Sequence, residues 1–235
     1  MKKEAAVRRY DRVVVLAPHA DDEVLGCGGL IAALSAAGSQ VHVLFLSVDG
    51  MAHYGLAEPV TYQARVAEID AVAAMLGFEY TIAYGDKQLN ERLDTLPRRE
   101  LVDLFQQYTD RIRPDLLLLP SGHDYDQDHL ATFEAGFAAA RPIGPQFGKW
   151  LAPHVLGYES PKIQWADRPL PPGTAYFDIT GHLDVKLAAL RAYRSQYRVV
   201  PHIRSEESVA ALATLRGAAM GVRHAEAFEV HRTVL

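Results

Sequence analysis

Cysteine is almost absent. Cys27 is the only one in 235 residues, which excludes an intrachain disulfide and a thiolate zinc cluster and suits a reducing compartment. Long apolar runs are missing too. The run behind the charged start MKKEAAVRRYDR is too short for a signal-peptide core, and far short of the roughly 20 residues that span a membrane. Nor is there a basic excess: 24 Lys+Arg against 29 Asp+Glu leave a net charge of -5, the opposite of a nucleic-acid-binding footprint. The chain also lacks internal repeats, low-complexity tracts and linkers. What remains is the expectation of a cytoplasmic protein with no nucleic-acid partner and no transmembrane segment. With 49% hydrophobic residues it can build a core without staples, as one domain over residues 1–235.

Short apolar strands alternate with helical patterns along the chain. Val13–Leu16, Gln40–Leu46, Tyr80–Tyr84 and Asp115–Leu119 read as strands, with His154–Tyr158 and Ala175–Asp178 as weaker ones and Ala225–Val230 as a last edge strand. Between them, Val24–Ala37, Thr61–Leu76, Leu96–Arg113, Leu130–Ala140, Val185–Tyr193 and Glu206–Met220 carry helical patterns. Leu116–Leu119 shows no alternation, as expected of a parallel strand covered on both faces. The fold expected is an α/β, Rossmann-like three-layer sandwich with a mostly parallel sheet. In a strand order 3-2-1-4-5, strands one and four are neighbours at the point where the order reverses, and ligands bind beyond the strand ends there.

The loops after those two strands hold an unusual cargo. The first has one imidazole and three carboxylates in a tight turn, His19, Asp21, Asp22 and Glu23; the second, Ser121 to His129, has more of both. Like charges packed together cost free energy unless something positive sits among them. His19, Asp22 and His129 give two imidazoles and a carboxylate, the three-ligand set of a catalytic zinc whose fourth position is left to water. Asp21 points away from its neighbouring ligand and is placed to take a proton from that water. Two His and one carboxylate also bind ferrous iron in oxygenases, so iron stays open. Helix capping is the bland alternative for the acidic turn. A dinucleotide-binding turn, suggested by Gly26, Gly28 and Gly29, fails on charge, because phosphate and three carboxylates would share one helix start. Taken singly, Arg65 and Glu68 read as an exposed helix pair, Cys27 as a small buried hydrophobe and His231 as a solvated residue.

Pro18-His19-Ala20-Asp21-Asp22-Glu23 resembles the P-H-x-D-D-E signature of the PIG-L, or LmbE-like, zinc-dependent N-deacetylases. Asp126 to Thr132 is similar to the second signature, x-x-D-H-x-x-T, and the resemblance extends through Arg65, Glu68, Ser195-Gln196, Arg216-Gly217 and Ala225 to Phe228. It implies that His19, Asp22 and His129 bind Zn2+ and that Asp21 is the general base. It also implies a small-molecule substrate, an N-acetylated sugar or glycoconjugate, with Arg65, Asp86 and Asp126 in contact with it. Many relatives have His where this chain has Asp126, so another group must stabilise the oxyanion. His123, His182, His202 and His224 are available. His202 is the expected one, lying in the irregular segment Arg198–Arg204, where it can reach over a cleft of its own chain or of a neighbouring copy in a homo-oligomer. The rival functions are a non-haem iron oxygenase using the same triad and a non-catalytic carbohydrate-binding protein.

Overall fold

The computed structural model describes residues 10–50, 57–85, 87–162 and 174–234. Among them seven strands form one mixed sheet: β1 (Arg12–Ala17), β2 (Gln40–Phe45), β3 (Glu79–Ile82), β4 (Leu116–Pro120), β5 (His154–Tyr158), β6 (Thr174–Asp178) and β7 (Ala225–Thr233). Their order is β3-β2-β1-β4-β5-β7-β6. The first five are parallel, in the order expected from the sequence, and β7 runs antiparallel to both β5 and β6.

β7 is therefore not an edge strand. Its first five residues are all buried, and only from Val230 onward does it reach solvent. The residues expected to form an edge strand, Ala225–Val230, are buried up to Glu229 because β5 and β6 flank them.

Among the described residues six α-helices cover the sheet: α1 (Asp22–Ala36), α2 (Tyr62–Leu76), α3 (Arg98–Ile112), α4 (Gln127–Ala139), α5 (Leu183–Ala192) and α6 (Glu206–Ala218). Alternation along β1 divides the core. Val13 and Val15 face a cluster built on Leu30 and Ile31 of α1, Ile69 and Val72 of α2, Leu190 of α5 and Val209 of α6. Val14 and Leu16 face Leu101 and Phe105 of α3 and Ala135 of α4. Residues fully buried on both faces explain why β1 and β4 read as unbroken apolar runs. The layers decide where the site lies. From the adjacent ends of β1 and β4, α1 departs to one face and α4 to the other, so the loops between strand and helix border a crevice at the switch point.

α1 is broken in the middle. Cys27 has φ -146° and ψ 22°, outside helical geometry, so the carbonyl of Leu25 and the amides of Gly29 and Leu30 lose their partners within the helix. A buried ion pair fills the break. Lys186 Nζ donates to Leu25 O at 3.0 Å, while Glu226 accepts from Gly29 N and Leu30 N at 2.8 Å each, and the two side chains meet at 2.6 Å. Glycine is required here for close approach. A Cβ on Gly26 would sit 2.2 Å from the Tyr158 ring, and one on Gly29 would sit 2.6 Å from Ile179. These glycines serve packing, which removes the nucleotide-turn reading on structural grounds as well.

Candidate metal centre and active site

The first loop enters α1 through a strained residue. Asp21 has φ 142°, a conformation L residues rarely adopt, and its side chain makes no capping bond. Capping is thus not what holds these carboxylates together. Asp22 instead turns back, its Oδ2 accepting from His19 N at 2.9 Å. In the second loop Asp126 caps α4, its Oδ1 accepting from the amides of Asp128 and His129. That cap starts α4 at Gln127, three residues before the expected Leu130, and puts His129 in the first helical turn.

The two loops meet. Ligand atoms of His19, Asp22 and His129 all lie within 4.8 Å of one another, and His129 and Asp22 are fully buried. His19 Nδ1 is 3.4 Å from Asp22 Oδ2, and His129 Nε2 is 3.1 Å from Asp22 Oδ1. The opposite nitrogens are held by carboxylates: Asp128 Oδ2 lies 2.8 Å from His19 Nε2, and Asp124 Oδ2 lies 2.9 Å from His129 Nδ1. Each ring thereby has its tautomer set, with one nitrogen aimed at Asp22. Asp128 is itself fixed by the amides of Glu91 and Leu93, at 2.6 and 2.7 Å.

Two observations fit a cation at this place. His129 Nε2 is buried and makes no well-aligned hydrogen bond, its near neighbour being the Asp22 carboxylate at 3.1 Å, so a metal between the two would satisfy it. The field points the same way. Burial alone would lower the His19 pKa, yet Asp128 and Asp22 hold it up at about 10, and His129 is raised against burial chiefly by Asp22. The pocket draws in positive charge. Burial also pushes the Glu23 carboxyl up to about 8, despite the hydrogen bond from the Tyr193 hydroxyl at 2.6 Å. Glu23 is therefore a structural group, its carboxyl taking the Tyr193 hydroxyl and the Asp21 amide.

Around this triad the expected residues take definite places. Asp21 is buried without a hydrogen bond to its carboxylate, and Arg204 Nε faces its Oδ2 at 3.1 Å. Arg204 belongs to the same irregular segment as His202, whose Nδ1 accepts from Arg204 N at 3.0 Å. The segment reaches over the crevice, and its Arg204 contacts the first loop at Asp21. Arg65 is only 2% exposed and lies under the first loop, donating to Ala20 O and Ser195 Oγ at 3.3 Å each. Glu68 accepts from Ser195 N and Oγ at 2.8 and 2.6 Å. The exposed pair read from the sequence is therefore a clamp on Ser195, with Arg65 buried and Glu68 half-buried under the segment that follows α5. His231 is also not solvated: it packs on the rings of Phe133 and Phe137. Cys27 is buried, as expected. Asp86 lies outside the described residues.

Four residues of the site escaped the sequence reading. Asp124 and Asp128 were visible as carboxylates flanking a ligand histidine, a recurrent signal of groups that orient metal ligands. Lys162 and Arg204 had no such signal. Lys162 Nζ is 2.8 Å from Asp126 Oδ2 and is almost fully buried. That pair, with the nearby His129, keeps the Asp126 carboxyl below its usual range against the effect of burial.

Comparison with known proteins agrees with this architecture. Residues 14–140 match the model of the PIG-L family, described as GlcNAc-PI de-N-acetylase. An uncharacterized deacetylase of Escherichia coli K12, YaiS, is 27% identical over 193 residues, 78% of this chain and 90% of that protein. Diacetylchitobiose deacetylase of Thermococcus kodakarensis is 26% identical over 229 residues, 92% of this chain and 81% of that protein. Among solved structures, the 4-carboxy-2-hydroxymuconate hydratase GalB of Pseudomonas putida KT2440 shares the fold, with a TM-score of 0.74 at 21% identity, covering 96% of this chain and 98% of that one. The fold thus admits more than one reaction. With the family model matching more than half of the chain, across both loops of the triad, this protein belongs to the PIG-L family.

Proposed function

We propose that the protein is a zinc-dependent hydrolase that removes an N-acetyl group from an N-acetylated amino sugar or a conjugate of one. The observation that carries the reading is a base beside a ligand set. Asp21, adjacent in sequence to ligand Asp22 and buried beside the triad, is not itself part of the triad. Metal storage or carbohydrate binding needs no such carboxylate. A jelly-roll iron oxygenase is disfavoured by the α/β sheet, and the deacetylase relatives favour amide hydrolysis over the hydratase chemistry found on the same fold.

His19 through Nδ1, Asp22 through its carboxylate and His129 through Nε2 would hold the metal, which supplies Lewis acidity toward the acyl oxygen and lowers the pKa of bound water toward about 7. The protein's own groups do the rest. Asp21 accepts a proton from the attacking water as the new C–O bond forms and the C=O π pair moves onto the acyl oxygen. On collapse the C–N bond breaks and that proton passes to the leaving nitrogen, giving acetate and a free amine. Arg204 orients Asp21, and we assign His202, through its bond to Arg204 N, to fixing that arginine. Arg65 we assign to supporting the Ala20 carbonyl within the first loop. The substrate then lies over the crevice, with Asp126 at its rim; Asp86 we keep as a substrate contact on the family resemblance alone. An acetate-release screen over N-acetylated sugars, run with zinc-loaded and metal-free protein, tests the reading. Metal-dependent release supports it; no release from any of them contradicts it.

A further inference from the structure

Amide hydrolysis places negative charge on the acyl oxygen, and a site needs fixed donors or cations aimed at it. Most polar groups around the triad are already committed. His19 Nε2 faces Asp128, His129 Nδ1 faces Asp124, and Arg204 faces Asp21. Asp126 is anionic and would repel an oxyanion. Lys162 is different. It follows β5, so it lies at the carboxyl end of the sheet beside β4, and its side chain is only 6% exposed. Among the described residues Asp126 is its one hydrogen-bond acceptor, which leaves two of three ammonium hydrogens for another. Its partner Asp126 is the N-cap of α4, three residues before ligand His129, which puts the ammonium on the flank of the triad. Its partner is rigid as well, since the other oxygen of Asp126 is pinned by the first amides of α4, the helix that carries His129.

We propose that Lys162, held in place by Asp126, is the protein group that stabilises the oxyanion formed on the acyl oxygen. The proposal rests on the deacetylase reading. Asp126 is then a positioning residue that carries the ammonium on the same helical turn as ligand His129. A tethered ammonium also needs no proton transfer to act, so it works as a fixed charge throughout the reaction.

The competing account is that Lys162 only neutralises Asp126. The two separate in the double variant Lys162→Met/Asp126→Asn, which removes both charges while asparagine keeps the α4 cap. Lys162→Met, Lys162→Gln and the double variant are compared with wild type at equal metal content and with melting temperatures recorded. The readouts are kcat and KM for acetate release from N-acetylglucosamine, and the Kd of methylphosphonate, a tetrahedral oxyanion, by calorimetry on metal-free and metal-loaded protein. Loss of the ammonium should lower kcat by about 10²-fold or more in single and double variants, with KM little changed. Methylphosphonate should bind roughly tenfold more weakly in both metal states, as for a lost charge-assisted hydrogen bond. Should Lys162→Met fail to fold, Lys162→Gln, neutral and polar, carries the same expectation. Recovery of kcat and methylphosphonate affinity in the double variant, or single variants equal to wild type, overturns the proposal. Wild type that releases no acetate from N-acetylglucosamine or from any other sugar of the screen overturns the deacetylase reading instead, and the methylphosphonate comparison then decides the role of Lys162 alone.

Discussion

Replacing Glu226 with glutamine tests whether the break in α1 is held by charge. The native carboxylate meets Lys186 at 2.6 Å and takes the orphaned amides of Gly29 and Leu30. Both side chains are at most 4% exposed. Glutamine has nearly the same shape, but it has one acceptor oxygen in place of two and no charge, so Lys186 is left buried without its counterion. Removing one partner of a buried pair costs roughly 3–5 kcal/mol. A chain of this length loses about 2–4 °C in Tm per kcal/mol, so a cost of about 4 kcal/mol lowers the melting temperature by roughly 8–16 °C. Lys186→Met should cost less, because Glu226 keeps its two amides. The double variant Lys186→Met/Glu226→Gln should recover much of the loss, with a coupling of at least about 1 kcal/mol. Metal affinity should fall along with stability, since the first half of α1 begins with ligand Asp22. Denaturant melts of the four proteins measure the cycle. A glutamine variant within about 0.5 kcal/mol of wild type, or strictly additive losses, would refute the splice.

Adding zinc at 100 times its Kd should stabilise the protein by about 2.7 kcal/mol, and His19→Ala and His129→Ala should abolish that gain in thermal melts. Asp124→Asn should weaken metal binding by about 10–100-fold in chelator competition while leaving one site per chain; unchanged affinity would mean the carboxylate does not orient His129. His231 gives a pH test. Burial, reinforced by His123, holds its pKa below 6.5, so the unfolded chain takes up a proton that the folded ring resists, and stability falls as pH drops below about 6.5. His231→Phe, which preserves the packing on Phe133 and Phe137, should gain stability relative to wild type as pH falls and not above pH 7; a pH-independent difference would contradict the assignment.

How much was legible in the sequence follows from which interactions are local. The order of the five parallel strands and the meeting of His19, Asp22 and His129 were readable, because apolar runs mark the strands and topology brings the two loops together. The place of β7 was not, since its alternation of apolar and acidic residues suits an edge strand as well as an inner one, and pairing partners are not written in periodicity. The break at Cys27 was hidden for a similar reason: the residues of α1 stay apolar through it, and its remedy, Lys186 with Glu226, comes from far along the chain. Arg65 and Glu68 have the spacing of an exposed pair, and only Ser195, in the segment that follows α5, brings them together. Lys162 and Arg204 lie in segments without period, so their charges found the site only in three dimensions.

The central claim is that a metal held by His19, Asp22 and His129 works with Asp21 as base to split an N-acetyl amide. Acetate release by wild type and Asp21→Asn, compared at one zinc per chain in both, tests it most directly. The account predicts full metal occupancy in the variant and a rate lower by at least about 10²-fold. A variant that releases acetate at the wild-type rate with its metal in place would contradict it.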